Sequence, residues 1–318
     1  MSRLLVIVLV FASSLAMAKG GETPPLVDAD WLNTNLDRDN LVILDVRSSI
    51  DNGGDRSRFQ DAHIPGAIYS SYTGDGWRES RDGVAGLLPP VASLERLIGG
   101  LGIGNDDTVV VVPAGTGATD FGSAARVYWT FRVLGHDDVT VLNGGFAGWK
   151  AEGLEIASGE AARPAATGFE GTLQQNLIAS LEEVEEARGT QAQLVDARPS
   201  DYFRGENQSP AARAPGTIPD SRSLPHVGFL GERNQAWYLN EESITAQVNA
   251  AELDPGTRTI AFCNTGHWAA TDWFVLSELA GFEEVALYDG SMAEWSQDSD
   301  RPLQVAKKGL SKLLDLFN

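Results

Sequence analysis

Cys263 is the only cysteine in 318 residues, and its neighbours are polar. It stands in Thr259-Ile260-Ala261-Phe262-Cys263-Asn264-Thr265-Gly266-His267-Trp268-Ala269-Ala270, which reads as a short apolar strand, a polar loop and the opening of an amphipathic helix. The backbone N–H groups that follow the sulfur can wrap around it, as strand-to-helix loops do around anions. The positive end of the next helix points to the same place. Both effects favour a thiolate, the nucleophilic form. The alternative is a cysteine packed in a core, the commoner fate of a lone thiol. The run Asn-Thr-Gly-His argues against it. The chemistry offered is attack by sulfur, a covalent adduct and onward transfer.

Other cysteine chemistries lack their partners. A cysteine phosphatase or arsenate reductase needs an Arg six places after Cys, and here that place is Ala269. A cysteine hydrolase needs a His base and an orienting acid or amide, which His267 and Asp272 only imitate. Disulfide exchange lacks a second Cys to resolve a mixed disulfide. Four scattered His with one Cys show no metal-ligand spacing. His63 and His136 read as structural, and His226 is unassigned.

The chain is long enough for two domains, and 42% hydrophobic content supports proper cores. A formal net charge of −20 argues against nucleic acid or anionic membrane as partner. It also means that a site for an anion must be positive locally against the global field. At the N-terminus, Arg3, the apolar run Leu4 to Phe11 and the small-x-small pattern Ala16-Met17-Ala18 read as a cleavable export signal over residues 1–18, with Lys19 as the new start. A retained anchor is the second reading. Export in a bacterium means the periplasm, where a single unpaired thiol invites a reactive role.

The rest of the chain says most things twice. Leu41 to Arg47 ends in Asp45-Val46-Arg47, and Leu194 to Arg198 repeats it as Asp196-Ala197-Arg198. Thr108 to Val112 matches Thr259 to Cys263 at the same spacing, which pairs Val112 with Cys263. Further on, Val141 to Gly145 matches Leu287 to Gly290, and Trp149 matches Trp295, at a spacing five residues shorter. The natural home for those five is a longer loop, Pro113 to Gly122, in the first copy. Each copy alternates β-rich runs with helical stretches, among them 93–101, 124–134, 180–188, 241–251 and 269–279. That alternation is α/β with a largely parallel sheet, whose sites form at the carboxyl ends of strands. The expected organisation is a first domain over 22–157, a linker over 158–175 rich in Ala, Gly and Pro, a second domain over 176–303, and a tail helix over 304–318. The tail, with lysines between apolar residues at helical spacing, reads first as a helix docked on the protein and second as a membrane-surface helix.

Together these motifs resemble the tandem-domain rhodanese family, the thiosulfate and 3-mercaptopyruvate sulfurtransferases. Asp45-Val46-Arg47 and Ala62-His63-Ile64-Pro65-Gly66-Ala67 resemble the early family signature. Arg126 to Trp129, Phe131 to His136 and Val141 to Phe146 resemble the inactive N-terminal domain. Asp196-Ala197-Arg198, Phe203 to Glu206, Tyr288 to Ser291 and Glu294-Trp295 resemble the catalytic C-terminal domain. The resemblance implies two rhodanese-like domains, each a mainly parallel sheet flanked by helices, with the site between them. It implies Cys263 as the nucleophile that takes a sulfur from a small anionic donor, holds it as a persulfide and passes it to a thiophilic acceptor such as cyanide, a thiol or a protein thiol. The amides from Asn264 to Ala269 would stabilise the persulfide, and the implied mechanism needs no metal or organic cofactor.

The loop departs from the family pattern. Asn264-Thr265-Gly266-His267-Trp268 lacks the basic residues of thiosulfate-preferring members and the Gly-Ser-Gly of mercaptopyruvate enzymes. The family's anion-binding Arg, four places after Arg198, is Tyr202. Arg204 is then the expected anion anchor, with Arg198 lending positive potential. His267 either assists Cys263 or the donor, or touches neither; Trp268 either walls the pocket or packs between domains. The absent basic residues leave a second function open, an exported persulfide carrier or binding module that does not turn over small donors.

Overall fold

The structure, a computed structural model, describes residues 23–160 and 164–306. The expected leader, and residues 307–318 of the expected tail helix, lie outside the described residues.

The first half forms strands β1 (Leu26–Val27), β2 (Leu41–Asp45), β3 (Ile68–Tyr69), β4 (Glu79–Arg81), β5 (Val84–Leu87), β6 (Thr108–Val112) and β7 (Val139–Leu142). Five of them pair in parallel in the order β1-β7-β6-β2-β3, while β4 and β5 make an antiparallel hairpin. Its helices are α1 (Ala29–Asn35), α2 (Arg56–Asp61), α3 (Val91–Gly100), α4 (Ala118–Val133) and α5 (Gly145–Ala151). Asp28 and Asp55 cap α1 and α2 by accepting from Trp31 N and Arg58 N. Central β6 is buried at every residue, as a continuous valine run in a doubly covered parallel strand must be.

The second half forms β8 (Gln193–Asp196), β9 (Arg222–Ser223), β10 (Leu230–Arg233), β11 (Ala236–Leu239), β12 (Thr259–Phe262) and β13 (Val285–Leu287). The parallel order is β13-β12-β8-β9, and β10 and β11 are the hairpin. Its helices are α6 (Leu181–Ala187), α7 (Ser200–Phe203), α8 (Glu241–Ala250), α9 (Trp268–Phe274) and α10 (Ser291–Trp295). Ser180 and Asn240 cap α6 and α8. The architecture is α/β, with helix-flanked parallel sheets. The described part of the segment between the halves packs on the first half: Thr167 N donates to Gly99 O, Gln174 N to Val133 O, and Phe169 is buried. The last described residues return to the second half, where Thr217 and Gln304 bridge and Ala306 N donates to Arg204 O.

The internal repeat is real, with two corrections. Phe146 N donates to Pro113 O just as Met292 N donates to Cys263 O, and Ala147 N to Ala114 O as Ala293 N to Asn264 O. Pro113, not Val112, is therefore the counterpart of Cys263, a spacing of 150. The strand-to-helix loops are equally long, Pro113 to Gly117 and Cys263 to His267, so the first copy has no longer loop. The difference sits in the helix. α4 runs for 16 residues, whereas α9 runs for 7 and ends in a 5-residue π turn, Val275–Leu279.

Each half reaches the other through its hairpin. Leu88, after β5, donates its N–H to Asp289 Oδ2, and Leu239, the end of β11, donates to Asn143 Oδ1. Each hairpin thereby covers the loop of the opposite half. Between the halves α4 packs on α9, with Tyr128 edge-on to Phe274 at 4.9 Å and Phe121 at 5.9 Å from the same ring. The main core cluster runs continuously from Val109 and Tyr128 to Phe274 and Cys263.

Candidate active site

Cys263 follows the carboxyl end of β12 and is 1% exposed. Ser291, at φ +50, shapes the loop from below: its Oγ accepts from Cys263 N (3.0 Å) and Gly266 N (3.1 Å) and donates to Tyr288 O (2.8 Å). Gly266 holds φ +70, and a Cβ there would lie 2.4 Å from Arg126 Nη1 and 2.9 Å from Asp289, so only glycine fits. Among the described residues, the amides of Asn264, Thr265, His267, Trp268 and Ala269 donate to no backbone or side-chain acceptor. They are available to an anion.

The matching loop of the first half shows what such amides hold. Ala114, Gly115 and Thr116, the counterparts of Asn264, Thr265 and Gly266, donate to the Asp120 carboxylate at 3.3, 2.7 and 3.4 Å. Burial pushes that carboxyl up to about 7 while the amide bonds pull it down. Asp51 Oδ2 accepts from Asp120 N and covers the same helix start. The first copy is thus closed by its own side chain and has a proline at the nucleophile's position. In the second copy the counterpart of Asp120 is Ala270, and the amides stay open.

His267 is 7% exposed, and both ring nitrogens are engaged with the other half. Nε2 lies 2.8 Å from Thr119 O, so it carries the hydrogen; Nδ1 then accepts from Tyr72 OH at 2.7 Å. Burial, then the Arg78 charge, push its pKa down to about 3, so the ring is neutral. Trp268 Nε1 donates to Thr119 Oγ1, while its ring stacks on His226 at 4.8 Å and meets the Tyr202 ring edge-on. Both residues fasten the start of α9 to the first half.

The two expected arginines go elsewhere. Arg198 is buried in a bidentate pair with Asp196, donates to Gly216 O at 2.8 Å and reaches Asn264 Oδ1 only at 3.5 Å. It braces the strand end. Arg204 is 46% exposed at the side chain and forks onto Glu206 at 2.9 and 2.8 Å, so the geometry gives the expected anion anchor a surface pair instead of a ligand. Asn264 and Thr265 stand in the loop with their backbone amides open.

Sequence reasoning missed the groups that the first half contributes. Arg126, fully buried, donates to Gly266 O (3.1 Å), Gly86 O (3.1 Å) and Asp289 Oδ2 (3.3 Å). Gly86, at φ +91, brings β5 so close that a Cβ would sit 2.4 Å from Thr265 O. Arg78 lies over the Tyr72 ring, 4.8 Å from its centroid. Asp272 lies buried in α9 with neither oxygen partnered, and burial, then the Cys263 and Asp196 charges, raise its pKa well above the carboxylate range. Among the described residues no cluster of His, Cys, Asp or Glu could hold a metal ion.

Comparison with known proteins agrees with this geometry. A family model described as the rhodanese-like domain matches twice, over residues 28–152 and 180–298. A thiosulfate sulfurtransferase of Rattus norvegicus is 32% identical over 289 residues, covering 89% of this chain and 89% of the relative. One of Bos taurus is 35% identical over 245 residues, covering 76% of this chain and 79% of the relative. Among solved structures, a 3-mercaptopyruvate sulfotransferase from Escherichia coli superposes with a TM-score of 0.73 at 24% identity, covering 85% of this chain and 99% of that one. That likeness is one of fold.

Proposed function

The chain belongs to the rhodanese family of sulfurtransferases, and from that premise we propose that its second half takes a sulfane sulfur from thiosulfate, with 3-mercaptopyruvate as the alternative donor. The Cys263 thiolate attacks the outer sulfur. The bond to the sulfonate sulfur breaks, sulfite leaves with the bonding pair, and a Cys263 persulfide remains. A thiophilic acceptor, cyanide or a thiol, then attacks the outer persulfide sulfur and restores the thiolate. Two half-reactions through a covalent carrier mean ping-pong kinetics.

The observation that carries this reading is the contrast between the two loops. One fold of loop binds the Asp120 carboxylate through its amides; the other has the same length and strand contacts, no such carboxylate, and Cys263 at its start. A loop built to hold negative charge beside a thiol suits a persulfide anion. The reading includes export to the periplasm, supported by Arg3, the run Leu4 to Phe11 and Ala16-Met17-Ala18. N-terminal sequencing of the mature protein, starting at Lys19 or at Met1, decides that part.

The test of the chemistry is intact-protein mass after incubation with each donor. Wild type gains one sulfur, about 32 Da, which cyanide removes; Cys263→Ser gains nothing. The donor that loads faster is the substrate class. No gain from either donor sinks the small-donor reading and leaves a carrier loaded by a protein persulfide.

A further inference from the structure

An anionic donor must find positive charge in a chain of net charge −20, and the loop from Asn264 to Trp268 has none. The nearby guanidiniums are mostly engaged. Arg198 is neutralised by Asp196, and Arg204 by Glu206 at the surface. Arg126 touches the loop, but it is paired with Asp289 and bonded to two carbonyls. Arg78 differs from all three. It is half-buried, makes a cation–π contact with its guanidinium carbon 4.8 Å from the Tyr72 ring centroid, and among the described residues has no carboxylate or carbonyl partner. The acid beside it in sequence, Glu79, pairs with Arg81 at 2.8 Å. Tyr72, on which Arg78 rests, donates to His267 of the catalytic loop.

Resting on the sulfurtransferase reading above, we propose that Arg78, supplied by the inactive half, binds the terminal oxyanion of the sulfur donor and so replaces the basic residues absent from the catalytic loop. Tyr72 is its platform. It fixes the plane of the guanidinium and leaves the N–H fork free for a sulfonate or a carboxylate. Arg78 thereby sets affinity for the donor and leaves the second half-reaction, which starts from a bound sulfur and needs no second oxyanion, to the loop.

The experiment separates the half-reactions in the full-length protein. Persulfide loading is followed by mass against donor concentration, with thiosulfate and 3-mercaptopyruvate in parallel, and discharge by cyanide is followed from preloaded protein. For Arg78→Ala the half-saturating donor concentration rises on the order of 10- to 100-fold, while the discharge rate stays within a factor of two. Arg78→Lys recovers part of the loss, and Arg81→Ala, three residues on in β4, behaves as wild type. The arm with the larger change names the oxyanion, sulfonate or carboxylate. Arg78→Ala that loads with wild-type concentration dependence overturns the proposal, as does an equal loss in both half-reactions that Arg78→Lys shares, since that is a damaged fold. A wild type that loads from neither donor is a different failure, because it removes the small-donor reading and Arg78's role with it.

Discussion

His267 sits four residues after the nucleophile, yet its hydrogen goes to Thr119 O and its lone pair accepts from Tyr72 OH. It serves the chemistry by holding the loop against the other half. That role has a pH signature. Burial first, and Arg78 next, push its pKa from 6.5 to about 3. Between those values the unfolded chain binds a proton that the folded chain refuses. Stability is therefore fully present above about 6.5 and falls as pH drops toward 3, with a slope of about 1.4 kcal/mol per pH unit from this group. His226, pushed down to about 4 by burial, adds to the same acid limb. Urea unfolding at pH 7.5 and pH 5.0 isolates His267 by difference: wild type loses roughly 2 kcal/mol more than His267→Gln over that interval. Equal losses in the two proteins would mean that His267 is charged in the fold and that the Tyr72 and Thr119 bonds do not define its state.

At the scale of elements, the catalytic loop is clamped between Ser291 below and the β4–β5 hairpin above. Gly86 is the contact point, with Thr265 O 2.4 Å from where its Cβ would be. Gly86→Ala must shift either the hairpin or the loop, at a left-handed backbone position where alanine already costs about 1 kcal/mol. A loop displaced by an ångström loses on the order of 100-fold in rate. Gly231→Ala, in the matching hairpin, meets nothing within 4 Å and leaves activity unchanged. Steady-state kcat/KM for the pair checks this; similar values for both variants would show that the hairpin does not set the loop. The Cys263 loop, the two α/β halves and the positions of α3, α6 and α8 were legible in sequence, because each is written in a local pattern of apolar runs, caps and turns. The register of β6 was not. Four consecutive valines look alike one residue along, and the chance match of Thr108 with Thr259 set the spacing at 151, whereas Val109 and Thr259 are the pair with matching bonds, their N–H groups donating to Asp138 O and Glu284 O. That single slip moved Cys263's counterpart from Pro113 to Val112 and sent the missing helical turn into a loop. Tyr72, Gly86 and Arg126 were illegible for another reason. They act on residues 140 or more positions away, through a pairing of halves that no local pattern announces.

The whole molecule explains why an inert copy belongs in an enzyme. The first half has a proline in place of the nucleophile and fills its own loop with Asp120, but it contributes Thr119, Tyr72, Arg126 and the β4–β5 hairpin to the working loop. The second half answers with β10–β11, whose Trp237 N donates to Gly115 O of the closed loop. The two sheets therefore share one core, in which Tyr128, Trp273, Phe121 and Phe274 pack across the interface and Glu278 accepts from Tyr128 OH and Arg132, each at 3.0 Å. Exposing that face in either half alone would return large aromatic side chains to water, worth roughly 2–3 kcal/mol each. The halves should accordingly unfold together. Calorimetry is expected to give one transition with equal calorimetric and van't Hoff enthalpies, although two domains of this size usually melt separately. Phe274→Ala, which empties the centre of the α4–α9 contact, should lower that transition by about 3–5 kcal/mol of stability and begin to split it. Loss of sulfur loading should follow the first component to melt, whichever half it is. Two resolved transitions in wild type, with loading retained after the first, would show that the catalytic half stands alone and that the inert copy is only its lid.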